Sequence, residues 1–136
     1  IMSLNHNVIL CSLFIFGVAT VSYAKKTESY FQHQWCHIEG GQTEYTLPDR
    51  TRIDCLTESH AVEVDFAHKW AEAIGQSLHY SLMSGKRAGI LLILRKPHDE
   101  LLLKRIQSVI HHFNLPIDVF TLNTEDYPRP PQNSLN

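Results

Sequence analysis

The stretch Arg52-Ile-Asp-Cys-Leu-Thr-Glu-Ser-His-Ala-Val-Glu-Val-Asp-Phe66 leaves this chain few ways to fold. It reads as two short β-strands, Thr51 to Leu56 and Ala61 to Phe66, joined by a tight polar turn. Acidic residues stand where a pure core would carry apolar ones. Side chains two apart on a strand share a face. Glu63 and Asp65 therefore point one way, while Val62, Val64 and Phe66 pack on the other side. Asp54 lies on the first strand, and a register that sets it beside Glu63 and Asp65 gathers three carboxylates. Such a cluster repels itself, and the usual compensation is a hard divalent cation, Mg²⁺ or Mn²⁺, held through oxygen ligands and water. Metal-dependent phosphodiester cleavage is built in this way. The plainer reading of each acid is an ordinary solvated or hydrogen-bonded strand residue, and Glu44, on the preceding strand, is read as part of a solvated face, with a place in the cluster as a further acid as the alternative.

Directly after the second strand, Trp70, Ala73, Ile74 and Leu78 recur at helical spacing, predicting a helix from Ala67 to about Ser84. Lys69 falls in its first turn, and Gln76 and Tyr80 lie one turn apart on one face. Gly75 costs such a helix about 1 kcal/mol against Ala, which predicts close packing of helix on sheet there. A strand bearing acids, followed by a helix bearing Gln-x-x-x-Tyr, resembles the PD-(D/E)xK nuclease superfamily, closest to its RecB-like exonuclease and Holliday-junction-resolvase-like branches. The resemblance spans about residues 43–120 of the chain. It implies that Asp54 and Glu63 are the metal-binding acids of the motif, with Asp65 beside them. It also implies that Gln76 and Tyr80 position the site or the nucleic acid. The motif's Lys position, two residues after Glu63, is Asp65 in this chain, and Lys69 is the candidate to replace it from the helix N-terminus. The expected catalytic set is thus Asp54, Glu63, Asp65, Lys69, Gln76 and Tyr80. The implied metal ligands are Asp54, Glu63 and Asp65, the cofactor is Mg²⁺ or Mn²⁺, and the partner is nucleic acid. No small-molecule cofactor is implied.

The remaining elements follow from turns and periodicity. Lys25 to about Ile38 reads as a short helix ended by Gly40-Gly41. Thr43 to Leu47 is a first strand before the turn at Pro48-Asp49-Arg50. Gly85 to Gly89 reads as a loop, and Ile90 to Leu94 as a central strand covered on both faces. A helix beginning at Pro97-His-Asp-Glu100 carries Leu101, Leu102, Ile106, Val109, Ile110 and Phe113 as its buried stripe. Ile117 to Leu122 closes the fold as a last strand. This order predicts an α/β (α+β) domain over residues 25–122, with a mixed central sheet flanked by helices. It agrees with the restriction-endonuclease-like αβββαβαβ core of the superfamily. Residues 123–136 read as a flexible Pro- and Asn-rich tail.

Residues 1–24 have the pattern of a secretory signal peptide, an apolar run from Val8 to Val21 followed by small residues at Ser22 and Ala24. Cleavage after Ala24 places the protein in the periplasm or outside the cell, with no stable membrane span; an uncleaved N-terminal anchor is the alternative. The mature chain then holds two cysteines, Cys36 and Cys55, which favours a disulfide over two buried thiols or a zinc site with His37. A formal net charge of −2 argues against broad attraction to nucleic acid, although Lys86, Arg87, Arg95, Lys96, Lys104 and Arg105 can form a local basic patch. Two other classes stand beside the nuclease. One is a catalytically degenerate nuclease-fold binding module; the other is a periplasmic interaction protein whose acids form a hydrogen-bonded cluster.

Overall fold

The computed structural model describes residues 26–127. The expected signal peptide and residues 128–136 of the expected tail lie outside the described residues. Helix α1 (Glu28–Ile38) precedes strands β1 (Gln42–Thr46), β2 (Arg52–Leu56) and β3 (His60–Phe66). A 3₁₀ turn (Ala67–Lys69) leads into α2 (Trp70–Ser84), and β4 (Arg87–Leu94), α3 (Asp99–His112) and β5 (Ile117–Asn123) follow. The five strands form one sheet in the order β1-β2-β3-β4-β5. Hairpins make β1, β2 and β3 antiparallel, whereas β3, β4 and β5 run parallel because α2 and α3 cross over between them. The fold is therefore mixed α/β, and β3 is the strand at which the sheet changes direction.

Alternation along the strands divides the core into two layers. Val62, Val64, Leu91 and Ile93 face α1 and pack on Phe31, Trp35 and Cys36. Ala88, Ile90, Leu92 and Leu94 face the other way, against Ala73 of α2 and Ile106 of α3. Strand β4 is thus apolar on both faces, as its unbroken hydrophobic run requires. Cys36 and Cys55 form a disulfide that ties α1 to β2, with Cα atoms 5.6 Å apart; neither sulfur is left for zinc. Gly41 makes room for the bridge, since a Cβ there would lie 2.6 Å from the Cys55 sulfur. Among the described residues no helix is long and apolar enough to cross a membrane.

Several expectations need correction. Strand β4 begins at Arg87, and the segment read as a loop pairs with β3 through Arg87, Ala88 and Gly89. Gly89 belongs there because a Cβ would press on Val62 at 3.0 Å and on the Phe120 ring at 3.3 Å. On α3 the buried side is Ile106 with Leu102, Leu103 and Ile110, whereas Leu101 and Phe113 are exposed. Leu101 lies roughly 140° around the helix from Ile106, and Phe113 follows the last helical residue. Gly75 meets nothing within 4 Å of a Cβ position, so it marks no close packing. Residues 124–127 continue the fold beyond β5: the Thr124 N–H donates to the Leu94 carbonyl at 3.0 Å, and the Tyr127 ring stands edge-on to Phe31.

Candidate functional site

The site lies where β2 and β3 part. Strand β2 pairs with β1 from Arg52 to Leu56, but its ladder to β3 holds only at Cys55↔Val62 and Leu56↔Ala61. Asp54 is the first residue beyond that ladder. Its Oδ2 accepts the Val64 N–H at 2.8 Å, a donor that a continued ladder would have used. The Asp54 carboxylate therefore fills the fork between the strands. Its backbone is held from behind by Gln32 of α1, whose Nε2 donates to the Asp54 carbonyl at 2.9 Å and to Glu44 Oε1 at 2.7 Å. Glu44 reaches that position from a left-handed backbone conformation (φ 55°), and its Oε2 pairs with Arg52 at 2.9 Å. Glu44 thus adjoins the cluster as the anchor of Gln32, more than as a member of a solvated face.

Glu63 and Asp65 project from β3 into the same region and are almost wholly buried, 4% and 2% exposed. Glu63 interacts electrostatically with Asp54, and the Tyr80 hydroxyl favours its charged form. Glu63 Oε2 is sealed from solvent and has no hydrogen-bond partner. Asp65 is drawn elsewhere, with Oδ1 3.1 Å from Lys69 Nζ and its carboxyl interacting with that of Glu28 of α1. Lys69 is also 3.6 Å from Glu28 Oε2. The 3₁₀ turn produces this geometry: tightening the chain just after β3 swings Lys69 back over Asp65, four residues earlier.

Burial dominates the electrostatics. Removal from water raises the Glu63 pKa first, and the negative charges of Asp54 and Asp65 raise it further. Asp54 is raised by burial too, partly offset by the Val64 N–H that it accepts. Asp65 is raised by burial, against the pull of Lys69, which favours its charged form. The same contact raises the Lys69 pKa, so its ammonium stays protonated. Tyr80 is raised by burial and by the Glu63 charge, and it remains a neutral donor.

Asp54, Glu63 and Tyr80 thus interact as one cluster, with Gln76 acting on Tyr80 from the exposed side of α2. Asp65 and Lys69 form an adjoining pair. The three acids do not close on one point, because Asp65 is turned to Lys69 and Glu28. Among the described residues no group of three or more His, Cys, Asp or Glu side chains is arranged to hold a metal ion. What Asp54 and Glu63 offer is a two-carboxylate edge with one unsatisfied buried oxygen. That suits a Mg²⁺-like ion, which commonly takes one or two carboxylates and fills its remaining positions with water and phosphate oxygens.

No family model, curated protein or solved structure matches this chain. The site must be read from its own geometry.

Two residues of that geometry, Glu28 and Gln32, escaped the sequence reading. Their signal was present: Glu28, Gln32 and Cys36 recur every four residues on one helix face, and the partner of Cys36 adjoins Asp54. The histidines near the site have other roles. His79 Nε2 lies 2.7 Å from Asp49, and His68 stacks on Phe66. The basic residues do not make one patch either, since Lys86 and Arg87 precede β4 or begin it while Arg95 and Lys96 follow its other end. A second polar chain runs from Ser59 Oγ to His60 Nδ1 at 2.7 Å and from His60 Nε2 to Asp118 Oδ2 at 2.8 Å. Arg87 neutralises Asp118 at 2.5 Å, and this chain ties β3, β4 and β5 together at the end of the sheet away from the carboxylates.

Proposed function

We propose that this chain is an exported, metal-dependent nuclease with a restriction-endonuclease-like core, hydrolysing phosphodiester bonds in nucleic acid. The observation that carries the reading is the strand fork, in which Asp54 and Glu63 are pressed together and Glu63 keeps a buried oxygen without a partner. A fold sustains so costly an arrangement when a cation repays it. Helix, three antiparallel strands, helix, strand, helix, strand is the element order that the superfamily resemblance implies, and it supports the reading. The Cys36–Cys55 disulfide supports export.

Asp54 and Glu63 would hold one Mg²⁺ or Mn²⁺. When bound, such an ion polarises a phosphoryl oxygen and acidifies a water. The chain's own residues supply the rest. Gln32 and the Val64 N–H fix the direction of the Asp54 carboxylate. Tyr80 fixes Glu63, and Gln76, at the solvent edge of α2, is placed to touch the nucleic acid. Lys69, held charged between Asp65 and Glu28, orients the attacking water or stabilises charge on the phosphate as it develops. Its ammonium takes the part of the motif lysine from a position six residues after Glu63 instead of two.

The test is cleavage of plasmid and linear DNA by the oxidised protein with Mg²⁺ or Mn²⁺, beside Glu63→Ala. Metal-dependent cleavage by the wild type, lost on the order of a thousandfold in the variant, is the expected result. Cleavage that survives Glu63→Ala in a folded protein sinks this assignment. The competing reading, a catalytically silent binding module, is favoured by the saturation of Lys69 by two carboxylates. It predicts metal binding without turnover.

A further inference from the structure

Arg95 carries a guanidinium that pairs with no carboxylate among the described residues. It leaves the C-terminal end of β4 beside Phe66, which ends β3, and its guanidinium lies 3.9 Å from the centre of the Phe66 ring. Nη2 is 3.5 Å from His68 Nδ1, and His68 itself stacks on Phe66 with the rings 15° from parallel. Nε is buried and makes no hydrogen bond. Among the described residues no carboxylate forms an ion pair with Arg95. Its backbone is fixed as well, because buried Asp99 accepts the Arg95 N–H at 2.8 Å and the Lys96 N–H at 3.2 Å. Main chain and side chain are thus both held in place, and yet the guanidinium makes no ion pair among the described residues.

We propose that Arg95, clamped by Phe66 and His68, binds a backbone phosphate of nucleic acid next to the phosphodiester that is cut. This deepens the nuclease reading and rests on it. The placement favours it: Phe66 directly follows Asp65, and His68 and Lys69 share one 3₁₀ turn. Arg95 therefore stands at the same edge of the sheet as the Asp65–Lys69 pair. In α/β sheets, ligands bind outside the carboxyl ends of parallel strands, and β3 and β4 are such a pair. A planar guanidinium offers a phosphate two parallel donors, which a lysine cannot do. Arg95 and Lys96 also line a shallow cleft with Glu100 and Glu125, whose charges oppose a longer anionic track and limit the site to a single phosphate.

The experiment measures binding of a fluorescein-labelled DNA oligonucleotide in Ca²⁺ across a salt series, for wild type, Arg95→Met and Arg95→Lys. Cleavage in Mg²⁺ is measured separately. Methionine keeps an apolar contact with Phe66 while removing the charge, and melting temperatures check that each variant is folded. Arg95→Met should raise Kd by about tenfold and lower the slope of log K against log salt by about one unit. Arg95→Lys should keep the slope and recover only part of the affinity. An Arg95-dependent Kd and slope in a wild type that cuts nothing would uphold the phosphate site and overturn the nuclease reading. Wild-type Kd and slope in folded Arg95→Met would overturn the phosphate site, whether or not cleavage is seen. Absence of DNA binding by the wild type would overturn both.

Discussion

Strands β3 and β4 lie side by side, and their buried residues stand in matched pairs: Glu63 opposite Ile90, and Asp65 opposite Leu92. All four are 4% exposed or less. On β4 these positions carry aliphatic side chains that α2 and α3 cover, as a central parallel strand demands. On β3 the same depth is given to acids, because the neighbour on the other side, β2, has swung away and left a gap lined with polar groups. Burial therefore does not distinguish the site from the core; what does is the partner strand that is missing on one side.

The sharpest way to break this comparison is to exchange the two chemistries. Leu92→Ala leaves a cavity and should lower unfolding free energy by about 2–5 kcal/mol in urea titrations. Glu63→Gln, one strand away at comparable depth, should leave stability unchanged or raise it at pH 8, because the amide cannot ionise beside Asp54 and keeps an acceptor for Tyr80. If Glu63→Gln costs as much as Leu92→Ala, Glu63 is a structural core residue and the fork has no separate purpose.

Next in size is the disulfide. Replacing Cys36 and Cys55 together by Ser should cost on the order of 3 kcal/mol. If the fork depends on α1, metal affinity should fall too, whereas the packing around Leu92 should not change. Hydrogen exchange of the Val64 amide, compared with that of Leu92, reads this directly.

The pH dependence is a smaller effect with a definite sign. The folded pKa values of Asp54, Asp65 and Glu63 are raised to about 6, 7 and 9. Their protons bind more tightly in the folded chain, so this stabilisation is complete below about pH 4 and is lost as pH rises through the folded values. Metal-free protein should therefore melt at progressively lower temperature between pH 5 and about pH 9. A cation competes with those protons, so Mn²⁺ should raise the melting temperature more at pH 8 than at pH 5. Equal or absent shifts at the two values would favour the hydrogen-bonded cluster without metal.

The smallest effect concerns Gly75. A Cβ there meets open space, so Gly75→Ala should stabilise α2 by about 0.5–1 kcal/mol. Thermal melting of the two proteins decides it.

Much of this could be read from the residues because strand alternation is local. The placement of Glu63 and Asp65 against Val62 and Val64 follows from period two, and the disulfide from two cysteines in a chain with a secretory leader pattern. The fork did not follow, because the point where β2 leaves β3 depends on a side chain, Asp54, outcompeting a backbone carbonyl for the Val64 N–H. No pattern of hydrophobicity records that competition. Gly75 misled for the opposite reason: its cost in a helix is visible in sequence, but the empty space beside it is not. Leu101 and Phe113 were misplaced because a stripe of six apolar residues is wider than the face that α3 buries. Asp65 was grouped with the other acids by spacing, and only the 3₁₀ turn reveals that it belongs to Lys69.

The bridge between α1 and β2 also has a mechanical consequence. Cys36 lies one helical turn from Gln32, and Cys55 is the residue next to Asp54. A covalent pivot therefore sits beside the hydrogen bond through which the helix grips the acid. Sliding of α1 along the sheet, the softest motion open to a helix packed on one face, would have to drag β2 with it. The helix and the carboxylate move together as one rigid lever, so a thermal push on α1 cannot shear Gln32 away from Asp54.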